Sequence, residues 1–179
     1  TGCWREDEGV LPSELLIDAF DRVRETVHAA VADLTDDQLA VRLDADANSI
    51  AWLVWHLTRV QDDHLAGVSD LDEVWTAAGW SDRFGLPFPD AAIGYGQGSA
   101  DVAKVRVPAD LLLGYHDAVH AQTVAYLRDD LTDDDLERVV DERWDPPVTL
   151  AVRLVSVVND TLQHAGQAAF VRGIVLRAT

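Results

Sequence analysis

The sequence VVNDTLQHAGQAAFVR, residues 157–172, belongs to the most continuously apolar part of the chain and has the pattern of a helix. Just before it, residues 150–158 leave no polar face, so we expect this helix to be central in the fold. Asp160 and His164 nevertheless occur inside it, four residues apart, and side chains at this spacing point in the same direction. Because an unpaired buried carboxylate is costly, Asp160 needs a partner.

Asp160 and His164 have two interpretations. In the first, both bind a divalent metal together with His56, which lies in the second strongly apolar helix, SIAWLVWHLTRVQDDHL, residues 49–65. Two histidines and one carboxylate leave a coordination position for water or substrate. In the second, Asp160 and His164 hydrogen-bond to each other and His56 is a core histidine. The DxxxH pattern is weak, so the spacing alone leaves both interpretations open.

The composition indicates one globular domain that handles small molecules. The chain has 179 residues, 48% of them apolar, and a formal net charge of −18. This charge argues against nucleic acid and anionic membranes as partners. No apolar run is long enough to span a membrane and no signal peptide is visible, so we expect a cytoplasmic protein. The single cysteine, Cys3, excludes an internal disulfide and a cysteine-rich metal site.

Helical periodicity predicts an all-α fold. Residues 1–11 are expected to be a tail, and residues 12–179 a single domain. No segment alternates strongly enough to predict a sheet. Apolar spacing and capping residues predict four long helices, which together make a four-helix bundle: residues 12–33, 49–66, 108–128 and 149–176.

Two further features concern the connections between the helices. Residues 68–107 form a crossover rich in glycine and aromatic residues, and a connection of this length is usually functional. Either it packs over the bundle and forms one wall of a pocket, or it only caps the ends of the core. The sequence LTDDQLAVRLD at residues 34–44 recurs as LTDDDLERVVD at residues 131–141. The two copies indicate either two pseudo-repeated helical hairpins or convergence on a common capping pattern.

The second helix has a histidine among apolar residues, and the fourth helix contains DTLQHAGQ and AAFVRG. Together these motifs resemble those of the DinB-like superfamily of metal-binding four-helix bundles. The resemblance covers nearly the whole chain, including the crossover. Many members carry HxxxH on the last helix, whereas this chain has Asp160 in the first of those positions. The resemblance therefore implies a site of His56, Asp160 and His164. Within this superfamily, the chain is similar to the mycothiol S-transferase branch in the segment NSIAWLVWHLTRVQDDH and in its near absence of lysine.

This resemblance implies a metal-dependent thiol S-transferase that acts in detoxification. It would conjugate a low-molecular-weight thiol, mycothiol, to an electrophile. The metal, zinc or alternatively nickel, would activate the thiolate, so that the protein needs no nucleophile of its own. Two alternatives remain: a non-catalytic metal-binding or stress-response bundle, and a thiol-dependent isomerase. The resemblance also allows a homodimer.

Other residues are candidates for the pocket or for support of the ligands. Trp52 is expected in an apolar pocket, and Arg59 either anchors the co-substrate or forms an ion pair with a nearby aspartate. Gln163 and Gln167 flank His164 in sequence, and Gln167 is expected to orient a ligand.

A competing pair, His116 and His120, also has the i, i+4 spacing of a metal site. Its surroundings are less apolar, and Asp117 and Gln122 indicate a wetter helix face. This pair is a weaker candidate for the pocket.

Overall fold

A computed structural model describes residues 9–178, so Cys3 and most of the predicted tail lie outside the described residues. In chain order the elements are α1 (Pro12–Val31), α2 (Asp36–Leu39), α3 (Ile50–Ala66), α4 (Val74–Ala77), α5 (Trp80–Phe84), α6 (Ser99–Val102), α7 (Ala109–Ala125), a π-helical turn (Tyr126–Asp130), a 3-10 helix (Asp133–Glu137), β1 (Val139–Asp141), β2 (Val148–Thr149) and α8 (Leu150–Ala178).

The four long helices α1, α3, α7 and α8 form the predicted four-helix bundle, in which α8 packs against both α1 and α3. These helices begin and end near the capping and stop residues that the sequence predicted. Ser49 Oγ accepts a hydrogen bond from the Trp52 backbone N–H at 3.2 Å and thereby caps α3, while Gly67 follows its last turn. Pro12 is the first residue of α1. The all-α prediction is confirmed.

Helix α3 is the centre of the bundle, because every residue from Ile50 to Asp62 is buried. Helix α8 packs against both α1 and α3, as expected of a central helix, but the apolar residues at its start are not all buried. Val152 and Val155 are 51% and 61% exposed. One face of α8 packs on α1 and α3, and the opposite face is exposed to solvent and carries apolar side chains among polar ones. Among residues 9–178, no helix combines the length and apolar character needed to cross a bilayer.

The crossover, residues 68–107, packs over the bundle through α4, α5 and α6, and buries Trp75 and Phe84 in the core. Arg59 of α3 anchors it. The Arg59 side chain is fully buried and its Nη1 lies 3.4 Å from Asp62 Oδ2 and 3.2 Å from the Tyr115 hydroxyl. Its remaining partners lie on the crossover: Glu73 Oε2 at 2.8 Å and the backbone carbonyls of Asp90 and Ala92, both at 3.2 Å.

A short two-stranded ribbon, β1 paired antiparallel with β2, precedes α8. No alternation in the sequence predicts this ribbon, because strands of three and two residues are too short to show it. The two copies of the repeated motif begin alike, with Thr35 and Thr132 each capping a helical turn, and then diverge: the second copy continues into β1.

Candidate metal centre

Three side chains from two packed helices converge at one point. His56 lies on α3, and Asp160 and His164 lie one turn apart on α8. One nitrogen or oxygen from each of them lies within 4.8 Å of the others. Within the described chain, this is the one group of His, Cys, Asp or Glu residues close enough together to hold a metal ion. The pairing of α3 with α8 produces this convergence.

The crossover and the neighbouring Trp52 fix the ring of His56. His56 Nδ1 is hydrogen-bonded to the Ile93 carbonyl, which leaves Nε2 as the free ring nitrogen. Gly94 allows this approach, because a Cβ there would lie 2.6 Å from His56 Nδ1. Trp52 stacks on the other side, with ring centroids 4.6 Å apart. Burial lowers the pKa of His56, which favours the neutral imidazole that binds metals.

The ring of His164 is held in the same way, by its own helix. Gln167 Oε1 lies 2.9 Å from His164 Nδ1, so Nε2 is again the free nitrogen. His164 Nε2 lies 3.7 Å from Asp160 Oδ1, which is too long for a direct hydrogen bond. Asp160 Oδ2 is buried and has no hydrogen-bond partner among the described residues. A buried carboxylate oxygen without a partner, next to two free imidazole nitrogens, fits a divalent cation and disfavours the simple hydrogen-bonded pair.

A cavity of about 670 Å³ opens beside this cluster. His56 and Asp160 lie at one end of it. Its other lining residues come from α3, the crossover, the ribbon and the first two turns of α8: Val60, His64, Ile93, Tyr95, Asp141, Arg143, Trp144, Val148, Val152, Arg153 and Ser156. The cluster therefore has an accessible side, which a purely structural metal site would not need.

Some of the other predicted residues contact the cluster in the structure, and others do not. Trp52 and Gln167 contact the cluster directly, as described above. Gln163 does not, because its side chain is exposed and bonds to the Asn159 carbonyl at 3.2 Å. The predicted substrate role of Arg59 finds no support either, because Arg59 is fully buried and does not line the cavity. The alternative ion pair, with Asp62, is the one observed.

The competing pair, His116 and His120, is not part of this site. His116 is 1% exposed and its Nδ1 lies 3.0 Å from Thr58 Oγ1, so the prediction of a wetter face was wrong for this residue. Burial lowers its pKa to about 3. His120 Nε2 pairs with Asp21 of α1 at 2.8 Å. The two histidines have separate partners and are not part of the three-residue cluster.

Sequence reasoning missed the part of the cavity wall that the ribbon supplies. Trp144 belongs to the ribbon turn and is 65% exposed, whereas Tyr95, which is 90% exposed, belongs to the crossover that was expected to form one wall. Arg143 and Arg153 lie beside Trp144 in the cavity wall. The signal in the sequence was the position of Trp144 in the polar segment DERWDPP, where a large aromatic residue has no core to join.

Comparisons with known proteins identify the family of the chain. A crystal structure titled as a conserved protein from Enterococcus faecalis is 31% identical, with a TM-score of 0.88, over 94% of this chain and 99% of that one. None of the curated proteins matches this chain. The family model described as mycothiol S-transferase matches residues 15–175, which include the whole cluster and the crossover. The chain therefore belongs to the mycothiol S-transferase family, within the DinB-like superfamily.

Proposed function

We propose that the protein is a metal-dependent thiol S-transferase that joins a low-molecular-weight thiol, mycothiol, to an electrophile. One observation carries the proposal: the buried Asp160 Oδ2, which has no partner among the described residues, lies with two oriented histidines at the end of an open cavity. The family of the chain supports the choice of thiol.

His56 Nε2, His164 Nε2 and Asp160 would hold the cation. A bound divalent cation lowers the pKa of a thiol, and this is the chemistry that it would supply. The residues of the chain hold and orient the groups that would bind the cation. Gln167 and the Ile93 carbonyl fix the two rings so that the same nitrogen of each faces the site.

The cavity accounts for the second substrate. Val60, Ile93, Val148 and Val152 give it an apolar wall along which an electrophile loses water and is held near the cluster.

The new bond joins the thiol sulfur to the electrophilic carbon. The leaving group departs with its electron pair, and the thiol proton passes to solvent. No cysteine lines the described cavity, so the proposal assigns the sulfur to the co-substrate.

A kinetic comparison of thiols tests the proposal. Purified protein loaded with zinc is mixed with a soft alkylating electrophile and with mycothiol, glutathione or cysteine, and thioether formation is followed by mass spectrometry. We expect conjugation above the uncatalysed rate with mycothiol, and its loss in His164→Ala. Equal rates in the variant and the wild type would contradict the proposal.

The non-catalytic bundle is the second candidate function, and the accessible cavity beside the cluster disfavours it. A thiol-dependent isomerase would use the same site, and the product analysis above distinguishes it, because an isomerase regenerates the free thiol.

Several expectations stay predictions: zinc as the metal, with nickel as the alternative, the role in detoxification, the cytoplasmic location and a homodimer.

A further inference from the structure

Two arginines share one carboxylate at the far end of the cavity. Arg143 binds Asp141 with two hydrogen bonds of 2.9 Å, from Nε to Oδ1 and from Nη2 to Oδ2. Arg153 Nη2 lies 3.2 Å from the same Oδ2. All three residues line the cavity. Arg143 arises from the ribbon turn and Arg153 from α8, so the pairing also fixes the ribbon against the start of α8.

In the wall of this cavity, these three residues carry two positive charges and one negative charge. The hydrogen bonds from Arg143 hold the pKa of Asp141 well below its usual range, so the carboxylate stays ionised, yet it neutralises only one of the two guanidinium groups. The cavity wall contains one other carboxylate, that of Asp160, which belongs to the metal cluster. Asp63 and Glu142 lie beside the same arginines in a neighbouring pocket, and Asp63 interacts with Arg153, but neither carboxylate lines this cavity. Within the cavity wall, the guanidinium groups are therefore the groups that would attract an anion.

The arginines lie at a defined distance from the metal cluster. Arg153, Ser156 and Asp160 follow one another at helical spacing on one face of α8, and all three line the cavity. At 1.5 Å per residue, Arg153 and Asp160 are roughly 10 Å apart along the helix axis. The side chains of Val60 and Val148 lie in the wall of the same cavity. A ligand can therefore extend from the metal cluster to the guanidinium groups across an apolar surface.

We propose that Arg153, assisted by Arg143, forms an anion-binding subsite for a carboxylate on the electrophilic substrate. A guanidinium has five N–H donors and Arg153 uses Nη2 for Asp141, so its fork can also bind a second carboxylate. The electrophilic carbon then faces His56 and Asp160 while the carboxylate is held at the other end. The assignment to the electrophile rests on the proposed transferase function. The anion subsite itself does not, and the two are tested separately.

The first experiment measures anion binding without any reaction. Sulfate is titrated into the full chain, with and without zinc, at constant ionic strength, and the indole N–H resonance of Trp144 is followed by NMR after assignment with Trp144→Phe. Arg153→Gln removes the proposed contact. Arg106→Gln is the matched control, because Arg106 pairs with Asp37 on the exposed surface and does not line the cavity.

We expect saturable binding in the wild type and in Arg106→Gln, and an affinity about tenfold weaker, or weaker still, in Arg153→Gln. Arg143→Gln should weaken binding in the same direction. Equal affinity in Arg153→Gln and the wild type, or no saturable response in the wild type, overturns the subsite whether or not the protein is a transferase.

The second experiment assigns the anion to one substrate. Two electrophiles with the same reactive group are compared, one with a terminal carboxylate and one with the corresponding primary amide. We expect Arg153→Gln to raise KM for the carboxylate and to leave the amide and the thiol unchanged. A higher KM for the thiol, with the carboxylate unaffected, would place the anion on the thiol co-substrate and overturn this assignment.

Discussion

At the scale of single residues, each imidazole of the cluster is oriented by an acceptor at its Nδ1. For His164 this acceptor is Gln167 Oε1, at 2.9 Å. Such supporting contacts fix the tautomer and the direction of the free nitrogen. Gln167 is therefore a positioning residue, although it does not itself touch the metal position.

Gln167→Leu should lower the affinity for zinc by about 10- to 100-fold, because His164 loses the acceptor that orients it. The measurement is competition with a chromogenic chelator. Gln163→Leu is the matched control, since Gln163 lies on the same helix and bonds only to the Asn159 carbonyl. Equal losses in both variants would assign the effect to the helix rather than to the contact.

His116 predicts a pH dependence of stability. Its pKa in the folded protein, about 3, is below the ordinary value of 6.5, so the folded state binds fewer protons than the unfolded state between these values. The free energy of unfolding must then fall as the pH drops from 6.5 toward 3. For this residue, the loss between pH 7.5 and pH 5.5 is about 1.4 kcal/mol.

Urea unfolding at pH 7.5 and pH 5.5, for the wild type and for His116→Gln, measures this contribution. We expect the stability difference between the two pH values to be smaller in the variant by about that amount. The other charged groups around His116, which are His28, Arg24, Asp117 and His120, are the same in both proteins. An identical pH dependence in both proteins would show that His116 is protonated in the folded state.

At the scale of elements, the crossover is part of the site because its backbone contacts His56. Gly94 has φ +92° and leaves no space for a side chain beside His56 Nδ1. Gly94→Ala should destabilise the protein by about 1–3 kcal/mol more than Gly96→Ala, because both positions have positive φ but only Gly94 adds an overpacked contact. At Gly96, with φ +75°, an added Cβ would have no neighbouring atom within 4 Å.

Chemical denaturation gives the two stabilities, and the chelator competition gives the zinc affinities. We expect Gly94→Ala, and not Gly96→Ala, to weaken zinc binding. If the two variants behave alike, the close approach of the crossover has no role in orienting His56.

Arg59 joins the same crossover to α3 and makes a second prediction at this scale. Arg59→Met leaves the buried Asp62 without its cation and should cost about 3–5 kcal/mol in the free energy of unfolding. Arg106→Gln, which removes an exposed ion pair, should cost less than about 1 kcal/mol. Urea denaturation of both variants checks this, and a loss in Arg59→Met no larger than in Arg106→Gln would contradict a structural role.

The elements also show what the sequence could predict. Strong helical periodicity and caps such as Ser49 predicted the long helices, and the i, i+4 spacing placed Asp160 and His164 on one side of α8. The proximity of His56 to these two residues could be predicted only from the family resemblance, because spacing within one helix does not specify which helix packs against it. The ribbon and Trp144 were missed, because short strands and turns lack a period that a sequence can reveal. The exposed side of α8 was missed because apolar composition does not identify which faces are covered.

At the scale of the whole molecule, the chain has a strong negative charge, and the described cavity has arginines at one end and the proposed metal site at the other. The cluster joins α3 to α8 and, through Ile93, both to the crossover. A metal that binds only the folded protein stabilises it, by about 2.7 kcal/mol at a concentration one hundred times its Kd. The proposed function therefore depends on whether this cluster binds a divalent cation.

Elemental analysis of the purified protein tests this dependence most directly. It is made on the wild type, on His164→Ala and on His120→Ala, which removes a histidine of the competing pair and leaves the cluster intact. The account predicts about one equivalent of a divalent metal in the wild type and in His120→Ala, and its loss in His164→Ala. No bound metal in the wild type after reconstitution with zinc or nickel, or loss of metal in His120→Ala alone, would contradict it.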